Sequence, residues 1–316
     1  DKLKNIIFDV QLIRCTQDVK KKEVNKLKKL SIDLKKLEII SQGDGTRVRF
    51  WTLKFHSFLR TTISFVREHH QCKQIQKTLE IFPALVVPIE LREKSDIVNQ
   101  GAKGQPTIIS NMIQELNKIS GALSLAVYAR GLIISHCERK EDIEGGVKLV
   151  SELTKSKKLP VVPLFESKEA LTQSAQILKA WLSERKNRDL VQNHWDNKLE
   201  VMLGYSDSSK QMGALASRYL ISQSMRKIDK TITREGLRPV FFHGSGGSVA
   251  RGGGSLKEQI SWWSQAAINY PKITIQGEMI QRQFASKEIL NTQCMHLTRE
   301  ALKRRIIKIK SLSRSA

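Results

Sequence analysis

The spacing of hydrophobic positions changes near residue 84. Before that point, apolar residues recur at three- and four-residue steps with lysines between them, which predicts basic amphipathic helices over about residues 24–37 and 49–77. After it, short runs rich in valine and isoleucine alternate with longer helical patterns. These runs, which we interpret as strands, lie at residues 84–91, 132–136, 160–165, 200–205, 238–243 and 272–276.

The alternation of strands and helices predicts an α/β fold with parallel strands and helical crossovers. The clearest helical patterns cover residues 168–185 and 212–235, and Gly236 ends the second. We expect a TIM-type (β/α) barrel that is partial here, because six strands are visible and a closed barrel needs eight. The expected parts are a basic helical region at 1–83, a barrel domain at 84–290 and a basic C-terminal helix at 291–316.

Chemically capable side chains follow nearly every apolar run at its C-terminal end. The C-terminal ends of parallel barrel strands open onto one face, and active sites are built there. We therefore expect these side chains to converge on a common site. In chain order they are Arg92, His136, Glu166, Asp207, His243 and the segment Gln276-Gly277-Glu278.

The composition favours an anionic partner. The chain has 54 lysines and arginines against 31 acidic residues, a formal charge of +23, which suits phosphorylated metabolites, nucleic acid or acidic lipid. An apolar content of 40% argues against wholesale disorder. The longest weakly charged apolar stretch, residues 121–135, is too short for a membrane span. We therefore expect a protein that does not enter the membrane. The four cysteines form no CxxC pair, which favours a reducing compartment, and we expect the protein in the cytoplasm.

A glycine-rich loop follows the fifth predicted strand. It holds six glycines within residues 244–254, which permit close backbone approach and expose amide N–H groups. His243 and Arg251 flank these amides, so the loop suits a phosphate or a carboxylate. The alternative is a flexible surface loop. The segment is neither a Walker loop nor a dinucleotide-binding turn.

A second segment combines a carboxylate with hydroxyls and a lysine at a strand end. Asp207 and Lys210 lie in the run GYSDSSK at 204–210, and Glu166 ends an earlier strand. Two carboxylates suit Mg²⁺, which leaves its other positions to water and substrate oxygens. The alternative is that Asp207 or Ser208 caps the helix that follows.

Taken together, these motifs resemble the bacterial-type phosphoenolpyruvate carboxylase family over roughly residues 84–290. The resemblance implies carboxylation of phosphoenolpyruvate by bicarbonate to oxaloacetate and phosphate, by way of carboxyphosphate and the enolate of pyruvate. It also implies a homo-oligomer, since family members form tetramers. The segments that carry it are VPIELR at 87–92, PLFE at 163–166, VMLGYSDS at 201–208, the loop at 243–254 and QGEMI at 276–280.

The family pattern implies a role for each matching residue. Glu166 and Asp207 would bind Mg²⁺ or Mn²⁺, and Arg92 would face the substrate phosphate. The catalytic residues would be His243, Arg251 and Lys210, and the other substrate-binding positions would be Ser245, Gly246 and Gly247.

The chain departs from the family at several positions. The family loop reads His-Gly-Arg-Gly-Gly, and Ser245 stands here in place of the arginine, while Gln211 replaces an acidic residue. The segment Thr-Ala-His-Pro-Thr is not found, and we expect the chain to be the central part of a longer enzyme. Two alternatives stay open: an inactive or truncated relative that binds phosphorylated anions, and a basic nucleic-acid-binding module. The second is less favoured because the basic residues are spread along the chain without a recognised reading motif.

Overall fold

The computed structural model describes residues 86–120, 125–244 and 256–312, with isolated positions between 25 and 82. Most of the predicted helical region at 1–83 therefore lies outside the described residues. The chain divides into two compact units, Asp1–Ile89 with Met112–Arg130, and Glu90–Asn111 with Gly131–Ala316. In the first unit, the rings of Trp51 and Phe55 stack with their centroids 5.0 Å apart. The candidate chemistry lies in the second unit.

A sheet of six strands, in the spatial order β1 to β6, forms the framework. The pairings from β2 to β6 are parallel, so the predicted α/β class with parallel strands is confirmed. The described strands make an open, curled sheet, and a closed eight-stranded barrel is not part of it. The strands are β1 (Ile89–Lys94), β2 (Ala129–Ser135), β3 (Val161–Phe165), β4 (Lys198–Gly204), β5 (Arg238–Gly244) and β6 (Lys272–Ile273).

Helices connect the parallel strands, as crossover geometry requires. None of the helices in the described ranges has the length and apolarity to cross a bilayer. The helices are α1 (Ser95–Ala102), α2 (Ile108–Ser120), α3 (Lys140–Thr154), α4 (Lys168–Leu182), α5 (Arg185–His194), α6 (Ser206–Met212), α7 (Ala214–Arg234), α8 (Leu256–Trp262), α9 (Gln265–Asn269), α10 (Glu278–Phe284) and α11 (Lys287–Leu312).

The central strands are buried along nearly their whole length. All five residues of β3 are buried, and β4 and β5 are buried over most of theirs. Parallel strands covered on both faces read as continuous apolar runs, which is why the sequence pattern located them. Side chains from β2 to β5 form one apolar cluster, made of Ile133, Val162, Leu164, Met202 and Phe242.

The strands at the two edges of the sheet differ from their predicted bounds. The pattern predicts β1 at 84–91, whereas the strand spans Ile89–Lys94 and only its Leu91 is buried. An edge strand that keeps polar side chains in solvent has no continuous apolar run. The apolar pattern therefore placed the end of β1 three residues before its actual end at Lys94. Arg92 therefore lies within β1 and does not follow it. At the other edge, β6 has two residues in place of the predicted 272–276.

The helical pattern predicted at 212–235 is interrupted by a glycine. Gly213 has a φ of 84°, a conformation that favours glycine, and it separates α6 from α7. The end of the pattern is confirmed, because α7 stops at Arg234 and Gly236 follows with a φ of 73°. The break matters for the site because α6 becomes a separate short helix directly after β4.

A lysine on β6 connects three strands of the sheet. The Nζ atom of Lys272 lies 2.7 Å from Oε1 of Glu90 on β1 and 2.6 Å from Oε1 of Glu200 on β4. It also lies 4.3 Å from the ring centroid of Phe242 on β5. Because β1 and β6 stand at opposite ends of the strand order, this contact requires the sheet to curl.

Helix α11 is held against α8 by one arginine. The guanidinium of Arg304 donates to the carbonyl oxygens of Ile260 and Trp263, at 2.7 and 2.5 Å. It also donates to the carbonyl oxygen of Ser261, at 3.0 Å. The last carbonyls of a helix have no partner within that helix, so this side chain satisfies three acceptors at the end of α8 and directly after it.

Candidate active site

A cleft of about 700 Å³ opens at the C-terminal ends of β2, β3 and β4. It is also lined by the first turns of the helices that follow those strands. The cleft brings together three residues of the predicted site, Glu166, Asp207 and Lys210. Strand-end residues distant in sequence therefore converge here, as the parallel arrangement predicts. The lining also includes His136, Arg139 and Gln211.

Glu166 is held by donors on both of its carboxylate oxygens. It follows β3 directly, and only 6% of its surface is exposed. Its Oε2 atom accepts from Nη2 of Arg92 on β1, at 3.4 Å. Its Oε1 atom accepts from the backbone N–H of His136 at the end of β2, at 3.1 Å. Neighbouring strands therefore fix the direction in which this carboxylate points.

Gly204, the last residue of β4, makes room for Glu166. A Cβ atom at this position would lie 2.4 Å from Cβ of Glu166 and 3.0 Å from its Cα. No side chain fits at that separation without moving Glu166. The glycine of the GYSD motif is thus explained by a close approach of two strand ends.

Asp207 and Lys210 face each other on α6. Asp207 lies in the first turn of the helix, and its Oδ1 atom accepts from Nζ of Lys210 at 2.8 Å. The capping alternative is wrong, because Tyr205 occupies the cap position and no side chain caps the helix. Ser208 donates to the carbonyl oxygen of Gly204 instead. The Asp207 carboxylate therefore lies at the cleft surface as an ion pair with Lys210.

Gln211 has a structural partner within the cleft. Its Oε1 atom accepts from the backbone N–H of Lys168, the first residue of α4, at 3.0 Å. The bond joins α6 to the N-terminal turn of α4. The neutral amide standing in place of the family's acidic residue thus retains an acceptor at this position.

His136 and Arg139 also line the cleft, and the strand-end pattern predicts only the first of them. His136 was recognised as a strand-end residue without a role, and Arg139 carried no signal. His136 has a φ of 51°, in the left-handed region, where histidine is several-fold enriched among non-glycine residues. Its unusual backbone direction depends on tertiary contacts that no local pattern reveals.

His243 lies in a buried aromatic cluster. Its Nδ1 atom is 2.6 Å from the hydroxyl oxygen of Tyr205, and its ring stacks on Trp263 with centroids 3.9 Å apart. The side chain is 0% exposed, and burial lowers its pKa to about 3, so the imidazole is neutral at physiological pH. Burial also raises the pKa of the Tyr205 hydroxyl. Among the residues described, the cleft lining includes Lys210 but not His243.

The alternation of side chains along β5 accounts for the position of His243. Phe242 belongs to the apolar cluster on one face of the sheet, so the next residue points to the opposite face. The remaining predicted positions, Ser245, Gly246, Gly247 and Arg251, lie outside the described residues, and their roles stay predictions.

The charge of the cleft suits a cation. Its lining carries four carboxylates, from Glu138, Glu166, Glu169 and Asp207, against the cations Arg139 and Lys210. Within the described part of the chain, no group of three or more His, Cys, Asp or Glu side chains is arranged to hold a metal ion. Mg²⁺ needs only one or two carboxylates and completes its shell with water and ligand oxygens. Glu166 and Asp207 fit that donor set.

Comparison with known proteins gives two matches. The family model for phosphoenolpyruvate carboxylase matches residues 85–314. The chain is 32% identical over 203 residues to phosphoenolpyruvate carboxylase 1 of Chlamydomonas reinhardtii. That alignment covers 63% of this chain and 20% of the relative, so the chain matches about a fifth of the length of that protein.

Proposed function

The chain belongs to the phosphoenolpyruvate carboxylase family, and on that premise we propose that it carries the metal-binding part of an enzyme that makes oxaloacetate and phosphate from phosphoenolpyruvate and bicarbonate. The observation that carries the proposal is the meeting of Glu166 and Asp207 in one cleft at the ends of β3 and β4. These are the two residues that the family pattern marks as ligands of Mg²⁺ or Mn²⁺.

In this proposal, each cleft residue has a physical task. Arg92 and the His136 N–H hold Glu166 in one orientation, so the carboxylate meets a cation without reordering. Asp207 offers the second carboxylate from the first turn of α6. When bound, Mg²⁺ acts as a Lewis acid that offsets negative charge on phosphate and enolate oxygens.

Cationic side chains complete the charge balance around the substrate. Lys210 lies 2.8 Å from Asp207 and is more than half exposed, so it can turn toward an anion in the cleft. Arg92, half exposed beside Glu166, is available to the phosphate at the same time. Preorganised charges of this kind stabilise a transition state in which negative charge spreads over the enolate and the phosphate. The catalytic roles of His243 and Arg251 are part of the proposal and are supported by the family motif.

A second function is favoured by one position. Ser245 stands where the family loop has an arginine, which removes a cation expected to hold the phosphate. A catalytically silent relative that binds phosphoenolpyruvate or another phosphorylated anion is therefore the alternative. Both functions require the binding of a phosphorylated anion, but only the first includes turnover of phosphoenolpyruvate to oxaloacetate.

The test is a coupled assay of oxaloacetate formation by the full-length protein, with phosphoenolpyruvate, bicarbonate and either Mg²⁺ or Mn²⁺. We expect turnover that is lost in Glu166→Gln and Asp207→Asn. Glu169→Gln is the matched control, because Glu169 lines the same cleft from the first turn of α4 and has no role in the proposal. Binding of phosphoenolpyruvate without turnover would favour the silent relative, and absence of both would overturn both.

The proposal extends to the setting of the protein. We place it in the cytoplasm as a homo-oligomer, a tetramer as in the family. The two described cysteines, Cys137 and Cys294, are free thiols, which fits a reducing compartment. Sedimentation of the full-length protein tests the assembly, and a monomer at micromolar concentration would contradict it.

A further inference from the structure

The imidazole of His136 adds a further hydrogen-bonding group to the cleft, beside its lysine and arginine side chains. Lys210 is bonded to Asp207, Arg92 to Glu166, and Arg139 lies 3.8 Å from Asp142. The His136 ring makes no hydrogen bond to any residue within the described ranges. Its Nε2 atom lies 3.9 Å from Oε1 of Glu166, which is beyond hydrogen-bonding distance.

The backbone of His136 is fully engaged, in contrast to its side chain. Its N–H donates to Glu166 at 3.1 Å, and its carbonyl oxygen accepts from the Ser95 hydroxyl at 2.8 Å. The next residue, Cys137, donates its N–H to the carbonyl oxygen of Leu164 on β3. The backbone that carries the imidazole is therefore held in place by its neighbours.

The residues that follow His136 are held equally firmly. Oδ2 of the buried Asp142 accepts from the backbone N–H groups of Glu138 and Arg139, at 3.0 and 3.1 Å. Oδ1 of the same carboxylate accepts from the amide of Asn99 on α1. The turn between β2 and α3 thus forms a preordered wall of the cleft, from which the His136 ring projects with 59% of its side chain exposed.

We infer that His136 is a substrate-contacting residue, whose ring N–H donates to a phosphate or carboxylate oxygen of the anion bound in the cleft. The inference deepens the proposed function and rests on it. It assigns the ligand contact to a residue outside the motifs that identify the family. The lining is rich in carboxylates, so a phosphorylated anion gains from a further donor beside Lys210 and Arg92, and His136 is placed to be one.

Three variants of the full-length protein separate the ring from the backbone. His136→Gly keeps the left-handed conformation and the amide that holds Glu166, and it removes the ring donor. His136→Ala removes the donor and adds backbone strain. His136→Gln has the same strain as alanine, and its amide nitrogen reaches about as far as Nε2.

The measurements are the dissociation constant of Mn²⁺, by electron paramagnetic resonance, and that of phosphoenolpyruvate in the presence of Mn²⁺, by calorimetry. For His136→Gly we expect Mn²⁺ binding like that of the wild type and phosphoenolpyruvate binding weakened about tenfold, the loss of one hydrogen bond to a charged group. His136→Gln should bind phosphoenolpyruvate several-fold more tightly than His136→Ala, because glutamine supplies an N–H donor and alanine has none.

Phosphoenolpyruvate binding by His136→Gly equal to that of the wild type would overturn this inference alone. Equal affinities of the glutamine and alanine variants would do the same. Failure of the wild-type protein to bind phosphoenolpyruvate at all would remove the proposed function and this inference together.

Discussion

Nζ of Lys272 lies 2.7 Å from Oε1 of Glu90, so an ion pair joins the last strand of the sheet to the first. The same ammonium group is 2.6 Å from Glu200 on β4. All three side chains keep 20–25% of their surface in solvent, so the cost of taking the charges out of water is moderate. The triad therefore stabilises the curl of the sheet.

Replacing Lys272 should destabilise the fold. Lys272→Met leaves two partly buried carboxylates without their cation, and we expect the free energy of unfolding to fall by about 2 kcal/mol. Lys272→Arg keeps the charge and is the control. The measurement is urea unfolding followed by far-UV circular dichroism. If Lys272→Met with Glu200→Gln is no more stable than Lys272→Met alone, the electrostatic explanation fails.

Gly204→Ala should disturb Glu166. The added Cβ atom would lie 2.4 Å from Cβ of that residue, so the two strand ends must separate. We expect a loss of about 1–3 kcal/mol of stability and Mn²⁺ binding weakened about tenfold. Gly236→Ala is the matched control, because a φ of 73° makes it strained after the end of α7 while the space around it is open. That control should lose stability and keep its affinity for Mn²⁺.

The neutral His243 should make stability depend on pH. Its pKa is about 3 in the folded protein against 6.5 for an ordinary histidine, so between these values the unfolded state binds more protons. The free energy of unfolding should therefore fall as the pH falls through 6.5 toward 3. Between about pH 7 and about pH 5, the wild type should lose about 2 kcal/mol more than His243→Gln.

Urea unfolding at the two pH values measures that difference. A second reading comes from the ring resonances of His243 in the nuclear magnetic resonance spectrum, which should not titrate between about pH 7 and about pH 5. A midpoint near 6.5, the ordinary value for histidine, would contradict the burial argument.

Restoring the family arginine in the glycine-rich loop tests how far Ser245 lowers the rate of turnover. If the rest of the pocket is intact, Ser245→Arg should raise turnover sharply, since one preorganised charge contact contributes about 2–4 kcal/mol to a transition state. Ser248→Arg adds the same charge three residues farther along the loop and is the control. Equal rates for wild type and Ser245→Arg would place any defect elsewhere.

The parts of the site that could be predicted are those fixed by strand ends. Glu166 and Asp207 were located because buried parallel strands leave continuous apolar runs whose last residues share one edge. β1 is polar and lies at the edge of the sheet, so its end, and the place of Arg92 within it, could not be located in this way.

The contributions of His136 and His243 could not be predicted for a different reason. Both end an apolar run, so the sequence treats them alike. The left-handed turn directs His136 into the cleft, whereas the alternation along β5 turns His243 toward Tyr205 and Trp263. That difference depends on backbone direction at one residue, which tertiary contacts decide.

The two hydrogen bonds that hold the Glu166 carboxylate also affect the affinity of the cleft for a ligand. A flexible carboxylate loses torsional freedom when a ligand arrives, and that loss weakens binding. Arg92 and the His136 amide have already removed this freedom during folding. Much of the entropy cost of recognition at this position is thus met before any ligand is encountered, and the affinity of the cleft becomes linked to the stability of the first two strands.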